Sequence, residues 1–96
     1  MSVRLIVTMT TAPGKGAELL QGYQARCAAV MKEPGCEQFE AFRSVIDPDK
    51  VVVLERWVDE AALKVHAALS RTQPSLTEKF RVGAGQREDY VYNRTR

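Results

Sequence analysis

Between Met9 and Ala17 the spacing of apolar residues changes from two to alternating three and four. No other feature restricts the fold of this chain as much. Upstream, Val3, Leu5, Val7 and Met9 alternate with Arg4, Ile6 and Thr8, which is the period of a β-strand rich in β-branched residues. Thr11-Ala12-Pro13-Gly14-Lys15-Gly16 interrupts it with strong turn formers. Downstream, Leu20, Tyr23, Cys27 and Val30 recur on one helical face, flanked by Leu19, Arg26 and Met31. Glu33-Pro34-Gly35 ends this helix, because the residue before proline avoids the α region and glycine suits the exit.

The same two periods recur once more. From Cys36 to Ile46, Phe39, Ala41, Arg43 and Val45 point one way, and Glu40, Phe42 and Ser44 the other. Asp47-Pro48-Asp49-Lys50 is a turn with proline in its second position, and Val51 to Trp57 forms the second arm of a hairpin. The apolar start of that arm predicts an inner strand buried on both faces. Asp59 caps a second helix that runs to about Ser70, with Ala62, Leu63, His66 and Leu69 on its inner face. Pro74 opens a short helix through Phe80, Val82 to Gly85 is loop, and Asp89 to Asn93 is a last strand.

The resulting order, β-α-β-β-α-β, is the ferredoxin-like arrangement of α+β proteins, with a four-stranded antiparallel sheet and both helices on one face. Residues 1–96 then form one domain. A chain of 96 residues buries only about 60–65% of its unfolded surface. The uncovered sheet face and the small core both predict a homodimer.

Apolar residues make up 45% of the chain and charged residues 27%, a globular composition with a net charge of +2. Five basic and five acidic side chains lie in residues 1–48, and nine and seven in 49–96, so no basic stripe marks a nucleic-acid partner. No apolar run, Val51 to Leu54 included, comes near a membrane span of roughly 18 residues. The start Met1-Ser2-Val3-Arg4 has no features of a secretory signal, so a soluble cytoplasmic protein is expected. Cys27 and Cys36 fit neither a zinc spacing nor a redox pair and are expected as free thiols. Gly83-Ala84-Gly85 is no dinucleotide fingerprint, and no acidic cluster or histidine pair offers a metal site.

The residues left for chemistry are few. His66 is the single histidine, and histidine is the residue type that titrates near neutrality. On the inner helix face it is either a core histidine bonded to backbone or the polar group of an apolar ligand pocket. Trp57 lies nine residues upstream, at the strand-to-helix corner, where it either caps the core or walls the same pocket. Arg43 and Glu55 are read as a cross-strand pair or as site residues. Tyr23 belongs to the inner face of the first helix, and Tyr90 and Tyr92 line either a pocket or a dimer contact.

Glu33-Pro34-Gly35-Cys36, Phe39-Glu40-Ala41-Phe42-Arg43-Ser44 and the stretch from Glu55-Arg56-Trp57 to His66 resemble the antibiotic biosynthesis monooxygenase family. The resemblance extends over about residues 3–93 and implies a dimeric α+β barrel with one pocket per subunit. It also implies a cofactor-independent monooxygenase that deprotonates a small aromatic or quinol-like substrate, which then reacts directly with dioxygen. Carried over, Trp57 packs on the substrate, His66 takes its proton, and Arg43 steadies the oxyanion. Phe39, Tyr23 and Tyr90 complete the expected substrate contacts, with no metal or other cofactor. Two other readings come with the family: a non-catalytic dimeric small-molecule-binding or stress-response protein, and a haem binder or degrader with His66 on iron. Haem-degrading relatives carry an asparagine on the first strand, and Val3 to Thr10 contains none.

Overall fold

The computed structural model describes residues 1–96. Six elements follow one another: β1 (Ser2–Thr10), α1 (Gly16–Val30), β2 (Cys36–Arg43), β3 (Lys50–Trp57), α2 (Glu60–Ser70) and β4 (Gln86–Tyr92). The strands form one antiparallel sheet in the order β2-β3-β1-β4. This is the ferredoxin-like α+β arrangement expected from the two apolar periods.

Alternation along the strands decides what the helices cover. Val3, Leu5 and Met9 of β1 are buried, as are Val51, Val53, Glu55 and Trp57 of β3 and Phe39 of β2. Register places Leu5 opposite Glu55, and Glu55 opposite Phe39, so these side chains share the helix-facing side. On the other side Ile6, Val52 and Leu54 are half-buried, while Phe42 and Tyr90 are exposed. The start of β3 is therefore buried on one face only, because no second layer covers the far side of the sheet.

Helix α1 turns Leu19, Tyr23 and Val30 inward, and Leu20 and Cys27 are only half-buried. Tyr23 and Val30 are thus buried as expected, and Leu19, expected at the flank, takes the place of Leu20. Asp49 in the β2–β3 turn receives the backbone N–H groups of Gly14 and Gly16, at 3.1 and 3.3 Å, and so supplies a cap that the local sequence lacks. Asp59 caps α2 by accepting from Ala62 N at 2.8 Å. No residue of α2 is fully buried, and Leu69, expected inside, is 45% exposed. The expected helix after Pro74 is a single turn in which Phe80 N and Arg81 N both donate to Thr77 O. Ser75 competes there for the backbone, its hydroxyl accepting from Glu78 N.

Two glycines permit close approaches. A Cβ on Gly16 would lie 1.9 Å from Pro48 O, so only glycine lets α1 begin against the β2–β3 turn. Gly35 has φ +79°, and a Cβ there would lie 2.6 Å from the Ala62 Cβ. It brings the entry of β2 against α2, next to the side chains described below.

Candidate active site

The sheet, α2 and the turn after α1 converge on His66. Trp57 is 0% exposed and presents its indole to the imidazole, with centroids 4.5 Å apart and planes 30° from parallel. Phe39 closes a second side at 5.6 Å and 58°. Both aromatic residues belong to the helix-facing side of the sheet, so the alternation that buries the core also builds the walls around His66.

The polar partners come from further away. The carboxylate of Glu33, in the turn after α1, lies 2.8 Å from His66 Nδ1. The Ser70 hydroxyl, one turn along α2, lies 3.2 Å from Nε2. An ionised carboxylate only accepts, so the proton of a neutral ring resides on Nδ1 and Nε2 accepts from Ser70. The pair is enclosed, the His66 and Glu33 side chains being 11% and 17% exposed. Glu33, His66 and Ser70 form one hydrogen-bonded row that can move a proton.

A second carboxylate lies beneath the indole. Glu55 is 7% exposed and accepts from Trp57 Nε1 at 3.0 Å. Burial pushes its carboxyl above the usual range, and the Trp57 hydrogen bond and the His66 charge oppose that shift. The alternation Val51, Val53, Glu55, Trp57 carries the signal for this buried acid. Glu33 carries none, because its contact spans 33 residues of sequence and depends on how α1 ends.

The other expected residues are dispersed. Arg43 is exposed at the far end of β2, opposite Val51, and Glu55 pairs with Phe39 and bonds Trp57; the Arg43–Glu55 cross-strand pair does not form. Tyr90 is paired with Arg4 on the opposite side of the sheet and is 48% exposed. Tyr92 lies on that side too, between the guanidinium groups of Arg4 and Arg56, at 5.5 and 5.3 Å. Tyr23 is in the core, 3.8 Å from Met9 Sδ, and burial pushes its phenol up to about 12. It borders a separate opening of about 270 Å³ between α1 and β2.

Cys27 and Cys36 are both free. Burial, then the charges of Glu33 and Glu55, pushes the Cys36 thiol up to about 11, which leaves little thiolate at neutral pH. No three potential metal ligands gather anywhere in the chain, and no helix is long and apolar enough to cross a membrane.

Two clefts border α2, and one of them reaches the His66 row. One of about 180 Å³ lies between the C-terminal parts of α1 and α2 and includes Glu33 and Ser70. The other, of about 190 Å³, lies between α2 and the sheet and has Val3, Leu63 and Ala67 for an apolar floor. Both are smaller than the roughly 300–1,000 Å³ of sites for drug-sized ligands.

This helix-on-sheet architecture is shared with known proteins. Residues 2–73 match the antibiotic biosynthesis monooxygenase family, from β1 through α2. The chain belongs to that family. Among solved structures, a conserved protein from Methanosarcina mazei is 20% identical, with a TM-score of 0.84 over 97% of this chain and 94% of that one. A Pseudomonas aeruginosa protein is 25% identical, with a TM-score of 0.79 over 97% and 95%. A protein described as an antibiotic biosynthesis monooxygenase is 24% identical, with a TM-score of 0.80 over 96% and 99%. Curated proteins of assigned function yield no match.

Proposed function

We propose that this protein is a cofactor-independent monooxygenase acting on a small aromatic or quinol-like substrate, with dioxygen as the second substrate. The observation that supports it is the row Glu33–His66–Ser70 held against Trp57. Glu33 fixes the Nδ1–H tautomer, so Nε2 is the base, and Trp57 and Phe39 fix the ring plane. The indole acts here as a platform for the base, with the substrate reaching His66 from a cleft. Once the substrate is deprotonated, it supplies the electrons that reduce dioxygen. One oxygen atom enters the product and the other leaves as water. In the family this chemistry is carried out by dimers, and the uncovered far side of the sheet supports a homodimer for this chain.

The test is oxygen uptake with a panel of quinols and anthrones. General-base catalysis contributes roughly 10²- to 10⁴-fold, so His66→Ala is expected to lose activity on that scale. Equal uptake by His66→Ala and wild type ends this reading. A compound that raises the Tm of the protein with no oxygen uptake from any of the panel supports the binding-protein reading instead. Haem ligation is disfavoured, since both nitrogens of His66 already have partners and its ring stacks on Trp57.

A further inference from the structure

Strand β2 forms one edge of the sheet, and an edge strand presents backbone N–H groups that no neighbouring strand accepts. One of them, Phe39 N–H, donates to the thioether sulfur of Met31 at 3.1 Å. Met31 is the C-cap of α1 and stands two residues before Glu33, while Phe39 is an aromatic wall of His66. A weak acceptor therefore ties the turn that presents Glu33 to the strand that presents Phe39. The Met31 side chain is also open to solvent, at 43% exposure, against 3% for Met9, whose sulfur lies in the core beside Tyr23. Cys36 Sγ, 4.0 Å from Met31 Sδ, is the neighbouring sulfur, but its thiol is pushed up to about 11 and carries little thiolate at neutral pH. A thioether has no proton to lose and meets an oxidant in its ordinary form.

We propose that Met31 is a modification site, whose oxidation to the sulfoxide by a peroxide loosens the contact between Glu33 and His66. The sulfur takes one oxygen atom from hydrogen peroxide. The O–O bond breaks, an S–O bond forms, the thioether gives up two electrons and water leaves. A flexible apolar side chain thereby gains a polar oxygen, and reductase enzymes return it to the thioether. Phe39 N–H then either follows the new oxygen, which stands one bond further out than the sulfur, or loses its partner. In both cases the spacing between Met31 and β2 changes. The shift passes along two residues to Glu33, whose carboxylate lies 2.8 Å from His66 Nδ1. Once that carboxylate is out of hydrogen-bond range, nothing fixes the proton on Nδ1.

The test treats the folded protein with hydrogen peroxide and locates the added oxygen by peptide mass spectrometry. Met31 is expected to be oxidised before Cys36 and at least about tenfold faster than Met9, in keeping with its exposure. His66 is the only histidine, so its ring nitrogen resonances report the tautomer without ambiguity. In the oxidised protein they are expected to move from the Nδ1–H form toward a mixture of tautomers, with the Phe39 amide resonance shifting as well. Met31→Leu keeps a similar volume, with folding checked by circular dichroism, and is expected to make His66 indifferent to peroxide. Met31→Gln places a stronger acceptor at the same point and is expected to reproduce part of the shift without peroxide. Oxygen found first on Met9 or Cys36, a fully oxidised Met31 with unmoved His66 and Phe39 resonances, or the same His66 shift in peroxide-treated Met31→Leu overturns the proposal. These readouts need no substrate, so they stand or fall independently of the oxygenase reading.

Discussion

His66 is bonded at both ring nitrogens, and the two bonds do different work. The bond to Glu33 chooses the tautomer, and the bond to Ser70 ties Nε2 to a hydroxyl that lines the cleft. Glu33→Gln keeps an acceptor oxygen for Nδ1–H but removes the charge that stabilises a protonated ring. A hydrogen bond to a charged group is worth about 1.5–3 kcal/mol, so kcat is expected to fall roughly ten- to hundredfold with KM little changed. Steady-state kinetics on the substrate found by oxygen uptake checks this. His66 and Trp57 were legible as a pair because each falls on an inward position of its own element. Glu33 was not, because the turn that presents it carries no periodicity.

Glu55 is a case where burial and bonding oppose each other. Burial raises its pKa in the folded protein, so the folded state keeps a proton that the unfolded chain releases. Its contribution to stability is thus fullest below the ordinary value of 4.5 and declines as pH rises through the folded value. Glu55→Gln retains an oxygen for Trp57 Nε1 and cannot ionise. It is expected to match wild type at acid pH and exceed it in urea stability near neutrality. Glu55→Ala leaves the indole N–H without a partner, at a cost of about 1–3 kcal/mol. Urea melts of the three proteins across pH separate these outcomes.

Among the elements, the turn between α1 and β2 does the most to position the site. It presents Glu33 and, two residues on, passes within contact of α2 at Gly35. Gly35→Ala combines a left-handed backbone, costing about 1–2 kcal/mol for an L-residue, with overlap against Ala62 and Val58. The expected result is a drop in Tm together with a loss of activity, because the same shift moves Glu33 away from His66. Proline and glycine announced this turn in the sequence, but the reason for glycine lies in a helix that begins 25 residues later. The turn after Pro74 is the converse case. Proline there marks a possible helix start, and the Ser75 hydroxyl and the Thr77 carbonyl hold the backbone in a single turn instead.

For the whole molecule, the decisive asymmetry is between the two sides of the sheet. One carries α1 and α2; the other leaves Ile6, Val52 and Leu54 half-buried, Phe42 45% exposed and Tyr90 48% exposed. A second copy placed there would bury this surface and account for a chain too short to enclose its apolar content alone. Light scattering is expected to give twice the chain mass for wild type. Leu54→Glu, placed between Ile6 and Glu40 in the register, is expected to give the monomer with a lower Tm. A wild-type mass equal to one chain at all concentrations removes the dimer.

Local physics was enough for the sequence to determine the order of elements. Period-two and helical spacings, and the proline and glycine turns between them, depend on near neighbours alone, and they yield β-α-β-β-α-β with His66 and Trp57 turned inward. What required the tertiary structure was every contact between elements. Glu33 on His66, Asp49 on the start of α1 and Tyr90 on the far side of the sheet follow from register and helix rotation. A small rotation of a helix exchanges core for solvent, burying Leu19 and exposing Leu69, and leaves the local pattern almost unchanged. The histidine proposed to accept the proton was therefore legible in the chain, and the groups bonded to it were decided by packing.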